Sequence, residues 1–281
     1  MDLTSKKEIR KALGNKHPSK KLGQNFLIDD EVIEDLISVA KVDSKDRILE
    51  IGPGVGALTS QLSKKAEEVL AVEKDEFLYE HLKNLGIENL TLFNDDFLDL
   101  NTEIYSKKEY KSVSNLPFNV AGPIIKKLLK ERSPSIIVAI TQKEVADRIE
   151  SKGEKENFLS IITKFRGEPK VIKRVPRSSF WPSPGVDGAI IKITPHQKYP
   201  REDFPEEFFR LVEVGFLHPR KQIKNNLSHS LSKKEVLKML SITNIDPKKR
   251  PEDLLIDEWV SITKTYLTLK RKENKINQDE S

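Results

Sequence analysis

The sequence of 281 residues has no cysteine, which excludes disulfides, thiolate metal sites and cysteine nucleophiles. Aromatic residues make up only 7%, with two tryptophans, so any cluster of rings stands out. No apolar run is long enough to span a bilayer, and Met1-Asp2-Leu3 lacks the basic-then-apolar opening of a signal peptide. The expectation is a cytoplasmic protein with no membrane partner. No internal repeat is apparent. Charge, by contrast, is abundant: 33% of residues are ionic and the net charge is +5. That balance favours a polyanionic partner, although a merely Lys-rich chain has the same sum, so its distribution matters more.

The rest of the chain is organised around Leu49-Glu50-Ile51-Gly52-Pro53-Gly54-Val55-Gly56-Ala57. An apolar run suited to a buried strand is cut off by three glycines, and a helical pattern follows. Gly52 and Gly54 let the backbone turn sharply and let a ligand lie against the main chain. A second β-prone run, Glu68 to Val72, ends on Glu73. A carboxylate about 20 residues after the first glycine is placed to grip ribose hydroxyls. Together the two features point to an adenosine-containing cofactor, and an ordinary strand-to-helix turn with a solvated glutamate is the plain alternative.

Strands at Arg47–Ile51, Val69–Glu73, Leu90–Phe93, Lys111–Ser114 and Ser135–Thr141 alternate with helices at Ala57–Lys65, Glu76–Leu85, Pro123–Glu131 and Lys143–Ser151. Such alternation predicts a doubly wound, Rossmann-like α/β sheet. Helix Asn157–Phe165 and the β-prone runs Val171–Val175 and Gly188–Thr194 complete it, the last two as an antiparallel element. From about Asp203 the strand pattern gives way to amphipathic helices. The expected organisation is therefore residues 1–202 as the sheet domain and 203–281 as a small all-helical domain with a disordered tail from Arg271. Residues Met1 to Lys21, with seven lysines and arginines, are expected to form a basic arm rather than a packed element. Gly23-Gln24-Asn25-Phe26-Leu27 precedes a helix capped by Asp29 or Asp30, leaving two amides free for a ligand.

Ser114-Asn115-Leu116-Pro117-Phe118 closes the fourth strand on the same sheet edge as the glycine turn. An adenine amino group is a poor nucleophile, because its lone pair is delocalised into the ring. The Asn115 oxygen and a main-chain carbonyl such as that of Leu116 can accept both amino hydrogens and aim the lone pair at an electrophile. Pro117 stiffens the backbone, and Phe118 offers a flat face for a base. Phe180 and Trp181, in a proline-rich loop, either form the opposite wall of a base pocket or cover an edge of the core.

On these motifs, with Asp96, Gln142-Lys143-Glu144-Val145 and Val186-Asp187-Gly188-Ala189, the chain resembles the KsgA/RsmA family of small-subunit ribosomal RNA adenine dimethyltransferases nearly end to end. The resemblance implies a class I methyltransferase sheet with S-adenosylmethionine held by Asn25, Leu27, Gly52, Glu73, Asp96 and Asn115. Glu73 would bind the ribose and Asp96 the adenine amino group of the cofactor. Asn115, Leu116 and Phe118 would hold the target adenine, with Phe180 beside it and no metal. The implied substrate is a pair of adjacent adenosines near the 3′ end of small-subunit rRNA in an immature 30S particle, and the enzyme is expected to be a monomer and a late assembly factor. Many relatives carry tyrosine where this chain has Phe118, so stacking without a phenolic proton must suffice. An assembly factor without catalysis, an NAD-linked oxidoreductase and a DNA adenine methyltransferase are the alternatives.

Overall fold

The computed structural model describes residues 3–130, 134–152, 155–196, 198–199 and 206–279, with the side chains of the final helix as far as 272. It divides into two compact units, residues 1–150 with 167–195, and residues 151–166 with 196–281.

The first unit opens with helix α1 (Lys6–Leu13) and the two-residue strand β1 (Phe26–Leu27). Helix α2 (Asp30–Ala40), strand β2 (Arg47–Ile51), helix α3 (Ala57–Ser63), strand β3 (Glu68–Glu73), helix α4 (Glu76–Lys83) and strand β4 (Leu90–Asn94) follow. Then come β5 (Lys111–Asn115), α5 (Ala121–Lys130), β6 (Ile137–Gln142) and α6 (Lys143–Glu150). The chain leaves for α7 (Phe158–Arg166) and returns as β7 (Gly167–Val175), β8 (Phe180–Trp181) and β9 (Gly188–Pro195). The seven-stranded sheet has the order β4-β3-β2-β5-β6-β9-β7. Its first five strands are parallel, and β9 and β7 are antiparallel additions.

Ile48, Leu49, Val69, Val113, Val138 and Ile140 are buried, as expected of parallel strands covered on both faces. Between β2 and β5 the strand order reverses, and a doubly wound sheet opens its ligand crevice at that point. Both the glycine turn after β2 and Asn115 at the end of β5 lie there. The Rossmann-like α/β expectation therefore matches the structure.

Three expectations are corrected. The basic arm is a packed helix: the Ser5 hydroxyl caps α1 by accepting from the Glu8 N–H, and Ile9, Ala12 and Leu13 are buried. They join Phe26, Val55 and Leu78 in one apolar cluster, while the lysines stay outside on the other face of the helix. Met1 and Asp2 lie outside the described residues. The second correction concerns α7, expected to complete the sheet, which belongs to the helical unit. Its Phe165 ring stacks on Phe208 at 3.6 Å between centroids. The unit resumes at His196, and Asp203, where the boundary was expected, lies outside the described residues, as does Glu131 at the predicted end of α5. Third, residues 271–279 are not irregular but continue α11 (Ile256–Asp279).

That helical unit also contains α8 (Glu207–Gly215), α9 (Ile223–Leu227) and α10 (Lys233–Ile242). It is built on Phe208, Leu211, Leu227, Val236, Leu240 and Trp259, all buried. A capping box of Ser232 and Glu235 starts α10, satisfying two otherwise orphaned backbone donors.

Candidate active site

The C-terminal ends of β2, β3 and β5 open into one cleft of about 1090 Å³, measured out to its mouth. Asn25, Leu27, Gly52, Gly54, Glu73, Asp96, Asn115, Leu116, Pro117 and Phe118 all line it. Residues predicted separately thus come together. Phe180 does not line the cleft. It is buried against Phe118, ring edge against face at 5.6 Å and 71°. Its partner Trp181 covers a core edge, packing on the α1 cluster with Arg10 5.5 Å above it.

The turn after β2 is glycine by necessity. Gly52 and Gly54 have φ of 70° and 62°, a left-handed region that costs other residues about 1–2 kcal/mol. A Cβ on Gly54 would stand 3.1 Å from the Phe26 ring. The freed Gly54 N–H donates to Glu73 Oε2 at 3.0 Å, and the Asp75 N–H donates to Oε1 at 2.8 Å. Glu73 is thereby fixed at the strand end with lone pairs remaining on each oxygen. Its burial pushes its pKa up to about 7.

Asn115 is held from one end only. Its Nδ2 donates to the Asn25 carbonyl at 3.0 Å, and its buried Oδ1 has no partner. Buried acceptors are seldom left empty, which makes this oxygen a candidate acceptor for a ligand donor. Here the β1–β8 ladder matters: Phe26 pairs with Trp181 and Leu27 with Phe180, which anchors the segment that Asn115 grips.

Gln24, expected to meet a ligand, is instead a strap. Its Nε2 donates to Asp75 Oδ2 at 2.9 Å and its Oε1 accepts from the Ser19 N–H at 2.7 Å. Asp96 sits at the rim in an ion pair with Lys74 at 2.5 Å, while its Oδ1 accepts from the Leu98 N–H. Burial works against the Asp96 charge, but these partners hold its pKa below the usual carboxylate range.

Among the charged cleft residues, Lys74 was not noticed from sequence, and Glu50 was quoted within the strand–turn motif without a role. Glu50 is 1% exposed and its Oε2 has no partner. A carboxyl inside the apolar run Ile48-Leu49-Glu50-Ile51 was the available signal. Burial, with the Glu73 charge adding to it, pushes its pKa up to about 8 from 4.5. Between those values the unfolded chain has lost this proton while the folded chain keeps it, so Glu50 makes stability fall as pH rises. Glu50→Gln is expected to raise the thermal midpoint at about pH 8.5 and leave it unchanged near pH 4, as differential scanning calorimetry would read.

The sequence model of the family described as ribosomal RNA adenine dimethylase matches residues 15–268. The chain belongs to that family. Ribosomal RNA small subunit methyltransferase A of Dehalococcoides mccartyi (strain CBDB1) is 36% identical over 255 residues, 88% of each chain. The protein of that name from Bacillus mycoides (strain KBAB4) is 38% identical over 266 residues, 88% of this chain and 91% of its own. Among solved structures, a dimethyladenosine transferase from Plasmodium falciparum superposes with a TM-score of 0.70 at 25% identity, over 84% of this chain and 95% of that one. The 23S rRNA methyltransferase ErmE shares the fold, with a TM-score of 0.64 at 23% identity over 86% and 99%.

As a ribosomal RNA adenine dimethylase the chain is a methyltransferase, and its methyl donor is S-adenosylmethionine. The residues fit that donor: a glycine cradle against which a ligand can lie, a buried carboxylate with lone pairs to spare, and the buried, unpartnered Asn115 oxygen. Among the described residues no cluster of three metal-ligating side chains occurs, and no helix is long and apolar enough to cross a membrane.

Proposed function

We propose that this adenine dimethylase acts on the exocyclic amino nitrogens of two adjacent adenosines near the 3′ end of small-subunit rRNA. It does so as a cytoplasmic monomer on an immature 30S particle, as a late step of assembly. The observation that carries the reading is the buried, unpartnered Asn115 Oδ1 in the same cleft as the glycine turn and Glu73.

S-adenosylmethionine supplies a methyl group on a positively charged sulfur. Glu73 holds the ribose hydroxyls from the end of β3, and Asp96 accepts from the cofactor's adenine amino group. The Gly52–Gly54 turn, with Asn25 and Leu27, shapes the wall against which the donor lies. The target adenosine leaves its stack to reach the cleft and lies on Phe118, with Phe180 bracing that ring from behind. Asn115 Oδ1 and the Leu116 carbonyl accept the amino hydrogens, which turns the nitrogen lone pair towards the methyl carbon. The protein's contribution is position and orientation. The bound donor would supply the methyl and leave as an uncharged thioether, with the amino proton passing to solvent water.

The proposed division of labour gives the sheet unit (1–150 with 167–195) the chemistry and the helical unit (151–166 with 196–281) a grip on RNA. Incubation with immature small subunits and donor, followed by mass spectrometry of rRNA nucleosides, should yield two dimethyladenosines per particle. Their absence, with methylation of large-subunit rRNA or DNA instead, would overturn the reading.

The exposed Lys6, Lys7 and Lys11 on the outer face of α1 are placed for phosphates. Replacing the three by glutamine should weaken RNA binding and flatten the slope of log affinity against log salt. A loss of about 0.7–0.9 is expected for each phosphate contact removed. An unchanged slope in filter binding would place the RNA elsewhere.

A further inference from the structure

Glu50 is the one buried ionisable group of the cleft to which the mechanism above gives no task. It occupies the fourth position of β2, directly before the glycine turn, and lines the cleft. One of its oxygens, Oε2, is buried and unpartnered. A carboxylate in such a place is costly unless an opposite charge meets it. The protein does not bring one: among the cleft-lining residues Lys74 is paired with Asp96 at the rim and Lys21 is exposed. From β3 the facing group is the acidic Glu73, and from α3 the Thr59 hydroxyl, which is uncharged and favours the carboxylate only in part against its burial. From β5 the end of the strand offers the neutral amide of Asn115.

A ligand that brings a positive charge into the cleft would supply that partner. Given the proposed reading of the cleft, on which this step rests, the donor brings a methylsulfonium, whereas the product left after transfer is a thioether with no charge on sulfur. We propose that Glu50 distinguishes donor from product, its carboxylate forming opposite the donor's positive charge and making release of the spent cofactor easier.

Without ligand, burial keeps Glu50 protonated up to about pH 8. A positively charged ligand would expel that proton, and a neutral one would not. Donor affinity then rises with pH relative to product affinity, by at most tenfold per unit, and levels off once Glu50 ionises unaided. The ratio of the two affinities isolates this effect. Glu73 would meet the ribose of both molecules and the Lys74–Asp96 pair the adenine of both, and each ligand's own ammonium titration, measured free in solution, is divided out.

The test is isothermal titration calorimetry of the full chain, without RNA, with S-adenosylhomocysteine and with S-adenosylmethionine itself, whose sulfonium charge does not change with pH. Each is titrated from about pH 6 to pH 8.5 in buffers of different ionisation heat. The wild type should prefer the sulfonium donor increasingly, by several-fold to tenfold over that range, with up to one extra proton released. In Glu50→Gln, the neutral isostere of the protonated side chain, the preference should fall to the wild type's low-pH value and no longer change with pH. A flat ratio in the wild type, or a rising one in the variant, overturns the role of Glu50. Failure of both ligands to bind overturns the reading of the cleft itself. The wild-type series stands without any variant.

Discussion

Asn115→Ala is expected to lower the rate of adenine methylation on the order of 10²–10³-fold, the usual effect of deleting one preorganised polar partner at a reacting centre. The side chain has two ends with different duties. Its Nδ2 holds the Asn25 carbonyl at 3.0 Å, and its Oδ1 is buried with nothing to accept. Truncation removes both, so donor affinity should weaken modestly through Asn25 while turnover collapses. Single-turnover kinetics on small subunits, with donor binding measured separately, would resolve the two. Unchanged turnover would remove Asn115 from the chemistry. A loss confined to donor affinity would restrict it to holding the donor wall.

Gly54→Ala is expected to weaken donor binding by roughly ten- to a hundredfold, from about 1–2 kcal/mol of left-handed backbone strain and the displacement of Phe26 that a Cβ at 3.1 Å enforces. Relief of either disturbs the Gly54 N–H bond to Glu73, so the ribose site loosens with the turn. Gly86→Ala supplies the control. Gly86 has nearly the same φ, 64°, but nothing within 4 Å of its would-be Cβ. Both variants should lose comparable thermal stability from strain, and only Gly54→Ala should lose the donor. Equal donor affinity in the two variants would show that the close approach at Gly54 is unimportant to binding.

The site was legible wherever a local pattern carried it. Apolar runs such as Ile48-Leu49 read as strands because parallel strands buried on both faces tolerate little else. The glycine turn, Glu73 and Asn115 each end such a run, so alternation alone placed them on one edge. What pattern does not encode is which surfaces meet. Helix α7 was recognisable as a helix, yet its periodicity is silent on whether Phe165 faces a sheet or, as found, Phe208. The β1–β8 ladder joins two residue pairs some 150 positions apart, too short and too distant to leave a period. Gln24 seemed available because its internal partners, Asp75 and Ser19, are fixed only by the fold. The α1 misreading is of another kind, since Ser5 three residues before Glu8, then Ile9, Ala12 and Leu13, is a readable capped amphipathic turn. Seven cations in the segment outweighed it.

Helix α1 lies before residue 15, where the family match begins, although its inner face completes the apolar cluster around Phe26, Val55 and Leu78. A polypeptide trimmed to the shared boundary would strip three greasy side chains from the back of the donor wall. Phe26, whose ring limits the space beside Gly54, would lose its backing there, and the trimmed enzyme would be sticky as well as slack. The matched region is thus buttressed by a segment outside it, and shortened versions would misrepresent the cradle they were meant to isolate.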